Sequence, residues 1–112
     1  MGTILLTLIR EQRKFMHVIS RKILRDYGTK RTDAKAELDA WFHEVAKAMW
    51  KKSAHLKAKY GNASVINAER VVFNICGNKH RLVARINYVS QTVFIRFVGT
   101  PREYDRINVE TV

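Results

Sequence analysis

The sequence is poor in cysteine and proline, and it has few acidic residues. Its 112 residues include one cysteine, Cys76, and one proline, Pro101. A single thiol cannot close an internal disulfide, so nothing argues for a disulfide-stabilised secreted protein. The apolar start MGTILLTLI ends at Arg10; it is too short to cross a bilayer, and it lacks the basic segment and cleavage site of a signal peptide. These absences predict a soluble, cytoplasmic protein.

The charge balance is strongly basic. Lys and Arg number 21 against 10 Asp and Glu, a formal net charge of +11. The length fits one domain with one modest core. A small domain with such an excess of positive charge usually binds a polyanion or an acidic protein partner. The alternative is a small basic protein whose charge only keeps it soluble.

The first half of the chain predicts helices after a short strand. MHVIS, residues 16–20, alternates like a strand. Residues 1–15 do not fit the pattern that follows; they could be an added strand or helix turn, a disordered leader, or the product of an upstream start codon. Ser20 is the predicted cap of a first helix that Gly28 ends. Thr32 or Asp33 should cap a second, antiparallel helix. Apolar residues share one face of each predicted helix: Ile23, Leu24 and Tyr27 in the first, and Leu38, Trp41, Phe42, Val45 and Met49 in the second.

The second half predicts a β meander behind a short basic helical stretch. That stretch, KKSAHLKAKYG (51–61), has Ser53 as a possible cap and Gly61 as its stop. The runs VVFNIC (71–76) and KHRLVARINY (79–88) flank Gly77-Asn78, which suits a two-residue type II′ turn, and TVFIRFV (92–98) follows. The order predicts an α+β domain in which a helix pair packs on one face of a small antiparallel sheet.

Alternation along the middle strand separates two faces. Arg81, Val83 and Arg85 share one of them. The opposite set is more apolar and should pack on the helices: His80, Leu82, Ala84 and Ile86. His80 is therefore expected to be a core histidine, and Arg81 should lie on the uncovered face beside Asn74. Alternation along its strand does not determine which face Arg96 occupies.

The stretch VGTPREYD (98–105) predicts a helix start that also carries reactive groups. Thr100 and Glu103 have the spacing of a capping box, and Pro101 suits the first helical position. Arg102, Tyr104 and Arg106 would lie near this end. Such a cluster suits metal-free RNA cleavage, in which the RNA supplies its 2′-hydroxyl, arginines stabilise the phosphate and another group exchanges a proton. No zinc, nucleophile-triad or phosphate-loop motif is visible, and no cofactor is expected.

Four segments together resemble a known family: MHVISRKILRDY, ELDAWFHEVAKAMWK, RVVFNICGNKHRLVARI and VFIRFVGTPREYDRI. They are similar to HigB-type toxins of bacterial type II toxin–antitoxin modules, within the RelE-like group. The resemblance covers residues 16–112 as a single toxin domain with a short C-terminal helix. It implies a ribosome-dependent mRNA endoribonuclease, or mRNA interferase. Its implied partners are a HigA-type helix-turn-helix antitoxin, the ribosome, mRNA and, through the antitoxin complex only, operator DNA.

The resemblance also assigns residues. The family's sheet-borne arginine falls on Arg81, the strand position facing the scissile phosphate on Asn74, and the C-terminal tyrosine on Tyr104. The basic residues expected to contact RNA are Lys57, Lys79, Arg85, Arg96 and Arg102. One departure stands out, because the family usually has a histidine where this chain has Pro101. Proline cannot exchange a proton, so the alternative is a catalytically impaired binding module with the same fold.

Overall fold

The computed structural model describes residues 15–112, and the expected extension at residues 1–15 lies almost wholly outside them. Strand β1 (His17–Ile19) leads into helices α1 (Arg21–Lys30) and α2 (Thr32–Ala46), followed by the short helix α3 (Ser53–Lys59). Four strands and a last short helix complete the fold: β2 (Ser64–Val65), β3 (Arg70–Ile75), β4 (His80–Asn87), β5 (Thr92–Gly99) and α4 (Pro101–Tyr104). The α+β class, the helix pair and the short C-terminal helix are confirmed.

The five strands form one mixed sheet in the order β1-β5-β4-β3-β2. Strands β2 to β5 are antiparallel neighbours, as the meander predicted. Strand β1, however, runs parallel to β5, with Val18 opposite Val93. A parallel pair requires a long crossover connection, and helices α1 to α3 with the meander provide it. The expectation of a purely antiparallel sheet was wrong at this one edge.

The core lies between the sheet and the helix pair. Leu38, Trp41 and Val45 of α2 are buried against it. From β4, the predicted inward set is buried: His80, Leu82, Ala84 and Ile86. Burial of this set confirms the alternation argument, and it leaves Arg81 and Arg85 on the face that the helix pair does not cover.

The predicted helix ends were less accurate than the helices themselves. Ser20 precedes α1 in a left-handed conformation (φ 73°), and its side chain makes no capping hydrogen bond. Gly28 lies inside α1, where a Cβ would come within 3.3 Å of Lys35 Cγ, so it permits a close approach of the two helices. Helix α2 begins at Thr32, but neither Thr32 nor Asp33 caps it, because Arg31 occupies the cap position.

Three further predictions needed correction. Met49 lies beyond the end of α2 and is 55% exposed, and Ile23 of α1 is also exposed. The β3–β4 ladder closes at Ile75 and His80, so the connection has four residues rather than two. Gly77 does have the positive φ (65°) that a type II′ turn needs, but Cys76 before it is also left-handed (φ 52°), which interrupts the ladder one residue early.

Candidate active site

The open face of the sheet is the face opposite the helix pair. Asn74 of β3 lies directly across from Arg81 of β4, and Gly99 of β5 lies across from Arg81 on its other side. Nearer the centre of the sheet, Val72 and Val83 are paired and both are buried. The centre of this face is therefore apolar, and its polar groups are divided between two ends.

Arg81 is held by a neutral partner. Its Nη1 donates to Asn74 Oδ1 at 2.6 Å, and Asn74 Nδ2 donates in turn to the backbone oxygen of Asn62 at 3.2 Å. Within residues 15–112, Arg81 has no carboxylate within 4.0 Å, and its buried Nε has no hydrogen-bond partner. The charge is thus positioned without being neutralised, which leaves it available to an anion.

The start of α4 brings a tyrosine to this arginine. The capping box is complete, since Glu103 N donates to Thr100 Oγ1 (3.2 Å) and Thr100 N donates to Glu103 Oε1 (2.9 Å). The hydrogen bond from the backbone of Thr100 lowers the pKa of Glu103, so this cap is ionised at neutral pH. The Tyr104 ring centre then lies 5.8 Å from Arg81 Cζ. The predicted capping box is confirmed, and α4 places Tyr104 beside the side chain of Arg81.

Gly99 and Phe97 shape the same corner, and the sequence argument did not assign them. A Cβ on Gly99 would come within 2.6 Å of Phe97 Cζ, so the ring covers this glycine closely. The Phe97 and Tyr104 ring centres are 6.5 Å apart. The glycine just before Thr100 was the available signal, since a residue without Cβ permits such an approach.

The remaining basic residues differ in their exposure and in their hydrogen-bond partners. Lys79 is exposed in the β3–β4 connection next to Arg81, and Arg102 is exposed on α4. Arg85 lies beyond the buried Val83, and its Nε donates to Glu69 Oε2 at 2.8 Å.

The face of Arg96 could not be derived from parity because a β-bulge interrupts β5. Val83 pairs with Phe97 while the next residue, Ala84, pairs with Ile95, so Arg96 has no partner of its own. Phe94 and Val98 consequently pair with residues on opposite faces, Arg85 and Leu82 respectively. Arg96 itself is exposed.

Lys57 is tied to the loop that supports Asn74. Its Nζ donates to the carbonyl oxygens of Gly61 (2.8 Å) and Ala63 (2.6 Å). Asn62, between these two residues, supplies the carbonyl that accepts from Asn74. The structure therefore gives Lys57 a positioning contact behind the Asn74–Arg81 pair.

A second polar cluster lies on the covered face, one residue away from Arg81. His80 is buried, with Nδ1 2.6 Å from Tyr27 Oη and Nε2 2.7 Å from Asp33 Oδ2. An ionised carboxylate only accepts, so His80 Nε2 donates to Asp33 Oδ2. The hydrogen bond from His80 lowers the pKa of Asp33, and burial raises the pKa of Tyr27. His80 is a core histidine, as expected.

Residues 15–112 contain neither a metal-binding cluster nor a membrane-spanning helix. No group of three or more His, Cys, Asp or Glu side chains is placed to hold a metal ion. No described helix is long and apolar enough to span a membrane.

A family model described as HigB_toxin, RelE-like toxic component of a toxin-antitoxin system, matches residues 34–107. This chain belongs to the HigB toxin family. The matched segment includes the Asn74–Arg81 pair and Tyr104. The chain is accordingly the toxic component of a toxin–antitoxin system, and its partner is an antitoxin.

Named relatives agree with the family model. The chain is 38% identical over 92 residues to the mRNA interferase toxin HigB of Escherichia coli K12. It has the same identity to the mRNA interferases HigB of Escherichia coli O157:H7 and Shigella flexneri. Each alignment covers 80% of this chain and 88% of the relative, so the likeness extends over most of both chains.

Proposed function

We propose that this toxin is a ribosome-dependent mRNA endoribonuclease that acts in the cytoplasm. The observation that carries the proposal is the guanidinium of Arg81, which is fixed by Asn74, lies beside Tyr104 and has no acid within 4.0 Å among the described residues. The names of the relatives, mRNA interferases, support the same activity.

In the proposed reaction the RNA provides its own nucleophile. The 2′-hydroxyl oxygen attacks the adjacent phosphorus, the bond to the 5′-oxygen breaks, and the products are a cyclic phosphate and a 5′-hydroxyl. Arg81 would stabilise the charge growing on the phosphate oxygens. Tyr104 would exchange a proton with the attacking or leaving oxygen. Asn74 would hold Arg81 and contact the phosphate, and none of these roles requires a metal.

Basic residues around this centre would bind the RNA backbone. Lys79 and Arg102 flank the centre and are exposed. The other proposed contacts are Lys57, Arg85 and Arg96, all of which are exposed. The proposed partners are a HigA-type helix-turn-helix antitoxin, the ribosome with its mRNA, and operator DNA reached only through the antitoxin complex.

Induction in cells tests the proposal. Expression without antitoxin should arrest growth, and primer extension on a reporter mRNA should reveal new 5′ ends. Arg81→Ala should lower cleavage by about a hundred- to a thousandfold, the usual cost of removing a transition-state donor. Lys22→Ala removes one exposed positive charge on α1 and serves as the control. Intact ribosome-bound mRNA after induction of the wild type would contradict the proposal.

Pro101 favours a second candidate, a catalytically impaired toxin that still binds antitoxin, ribosome and RNA. Proline occupies the first position of the capped helix α4, where it suits the backbone but offers no proton. Losing an acid–base group typically costs about a hundred- to ten-thousandfold in rate. If the wild type is inactive, Pro101→His should restore cleavage; an inactive Pro101→His protein would remove the reason for this candidate.

A further inference from the structure

A cavity of about 340 Å³ opens at the edge of the sheet beside Asn74. It exists because β2 is short: its two residues pair with Val71 and Val72, and no described strand continues alongside Phe73 to Ile75. Helix α2 and the segment 59–63 form the other walls. The volume lies within the range of small-molecule sites, about 300–1,000 Å³.

Three aromatic residues line the cavity. Trp41 and Tyr60 both pack edge-on against Phe73, with ring centres 5.3 and 5.2 Å away. Trp41 is almost fully buried, so its ring cannot swing away from the wall. Trp41 and Phe73 are both almost fully buried and hold the partly buried ring of Tyr60 in place, which lowers the entropic cost of binding a flat guest against Tyr60.

Two carboxylates from α2 provide the polar groups. Glu44 Oε2 accepts from the Tyr60 hydroxyl at 2.6 Å, and Glu37 Oε2 accepts from the backbone N–H of Cys76. Burial and the neighbouring Glu44 hold the pKa of Tyr60 far above its ordinary value, so the phenol remains a donor. Within residues 15–112, the second oxygen of each carboxylate makes no other hydrogen bond. The cavity therefore presents acceptors to a guest.

The negative charge of Glu37 and Glu44 limits the kinds of ligand that the cavity can bind. Carboxylates repel a phosphate, although the protein as a whole carries a net charge of +11. Acceptors fixed beside aromatic rings instead match the amino and imino N–H donors of a flat base. Lys59 also lines the cavity and would balance a phosphate outside it.

The cavity adjoins the candidate active site. Asn74 lines it, and the same side chain accepts from Arg81 through Oδ1. An RNA strand with a phosphate at Arg81 would thus have a neighbouring nucleotide at the cavity. Proteins that read single-stranded RNA take unstacked bases onto aromatic side chains and read their edges by hydrogen bonds.

We propose that this cavity is a base-recognition pocket, which takes one unstacked RNA base rich in N–H donors next to the phosphate held at Arg81. Guanine fits best, because its two adjacent donors match a carboxylate. Uracil fits worst, because its carbonyl oxygens would face the carboxylates. The inference rests on the proposed RNA cleavage and adds a base preference to it.

Nucleotide binding to the full chain tests the pocket directly. GMP and UMP are titrated separately while NMR follows the indole N–H of Trp41 and the ring of Tyr60. GMP should shift these signals and bind about tenfold more tightly than UMP, the discrimination expected of one good base contact. Glu44→Gln, which keeps an acceptor for Tyr60 but removes the charge, should reduce that ratio.

A matched pair of helix variants checks the location. Ala40 lines the cavity from α2, whereas Ala36 is exposed on the same helix without lining it. Ala40→Phe should fill the cavity and abolish the response to GMP, while Ala36→Phe should retain it. Circular dichroism of both variants establishes that the fold is preserved.

Failure of the pocket is distinguishable from failure of the proposed function. Equal binding of GMP and UMP, or no shift at Trp41, in a protein that still cleaves mRNA would overturn the pocket alone. If N-acetylarginine amide saturated the cavity and GMP gave no response, the base-recognition proposal would be overturned, and the cavity would instead bind an arginine side chain of a protein partner. If GMP fills the pocket but no mRNA is cut, the cleavage proposal fails instead.

Discussion

The two faces of β4 differ in how their polar residues are partnered, although these residues alternate along a single strand. On the covered face, His80 satisfies both ring nitrogens with Tyr27 and Asp33, and Leu82 is fully buried. On the open face, Arg81 has a single neutral partner, and its Nε has none among the described residues. One face satisfies its polar groups and stabilises the fold, whereas the other retains an unneutralised charge.

Neighbouring positions on β4 therefore serve different purposes: His80 stabilises the fold, and Arg81 belongs to the candidate active site. A strand places neighbouring side chains on opposite faces, so the network around His80 can anchor β4 without occupying the site beside it. Substitutions on the covered face should therefore change the free energy of unfolding. Those at Arg81 and Asn74 on the open face should change activity.

The largest effect is expected at Leu82. Leu82→Ala removes a fully buried side chain between sheet and helices and should lower the free energy of unfolding by about 2–5 kcal/mol. Arg85→Ala, on the open face and half exposed, should change it by no more than about 0.5 kcal/mol. Urea denaturation of both variants measures the difference, and equal losses would contradict the separation of the faces.

The next largest loss of stability is expected at His80. His80→Phe keeps a ring in the core but leaves the Tyr27 hydroxyl and the Asp33 carboxylate without their partner. We expect a loss of about 1–3 kcal/mol, the usual cost of an unsatisfied polar group. Urea denaturation again provides the measurement. Tyr27→Phe, which removes a single hydrogen bond, is the milder control and should cost less stability than His80→Phe.

Thr100 should have a smaller and more local effect. Thr100→Ala removes the oxygen that caps α4 and should cost about 1 kcal/mol. Because α4 carries Tyr104, amide exchange at residues 103–106 should become faster while β4 remains protected. Thr100→Ser keeps the capping oxygen and should behave as wild type. Unchanged exchange in Thr100→Ala would contradict the role of the cap.

The smallest effect concerns acid stability at Asp33. Its pKa in the folded protein lies below the ordinary value of 3.8 because of the hydrogen bond with His80. The stabilisation from this pair is therefore complete above about pH 4 and is lost as pH falls through the lowered pKa. Asp33→Asn should make unfolding less dependent on pH below about 4. If the free energy of unfolding of Asp33→Asn depended on pH as steeply as that of the wild type, Asp33 would contribute nothing to acid stability.

Several elements could be predicted because their signals are local. The apolar spacing of α2 and the Thr100–Glu103 capping box depend on side chains within one or two helical turns. The alternation along β4 similarly placed Arg81 beside Asn74. The resemblance to the HigB family supplied the roles proposed for these residues.

Other features depend on contacts between distant segments. The parallel pairing of β1 with β5 joins residues more than seventy positions apart, and nothing local in HVI specifies its partner. Gly28 continues its helix because α2 packs closely against it, although glycine commonly ends helices. The bulge at Arg96 likewise became visible only when the register of β4 against β5 was fixed.

The sequence by itself determined the class of the domain, its strong positive charge and the two faces of β4, because periodicity and charge are properties of neighbouring residues. Tertiary structure decided which charges remain free. Lys57 is bound to loop carbonyls and Arg85 to Glu69, whereas the one side-chain hydrogen bond of Arg81 within residues 15–112 is to the neutral Asn74. Which residues lie close enough to neutralise a charge is set by the packing of segments far apart in the chain.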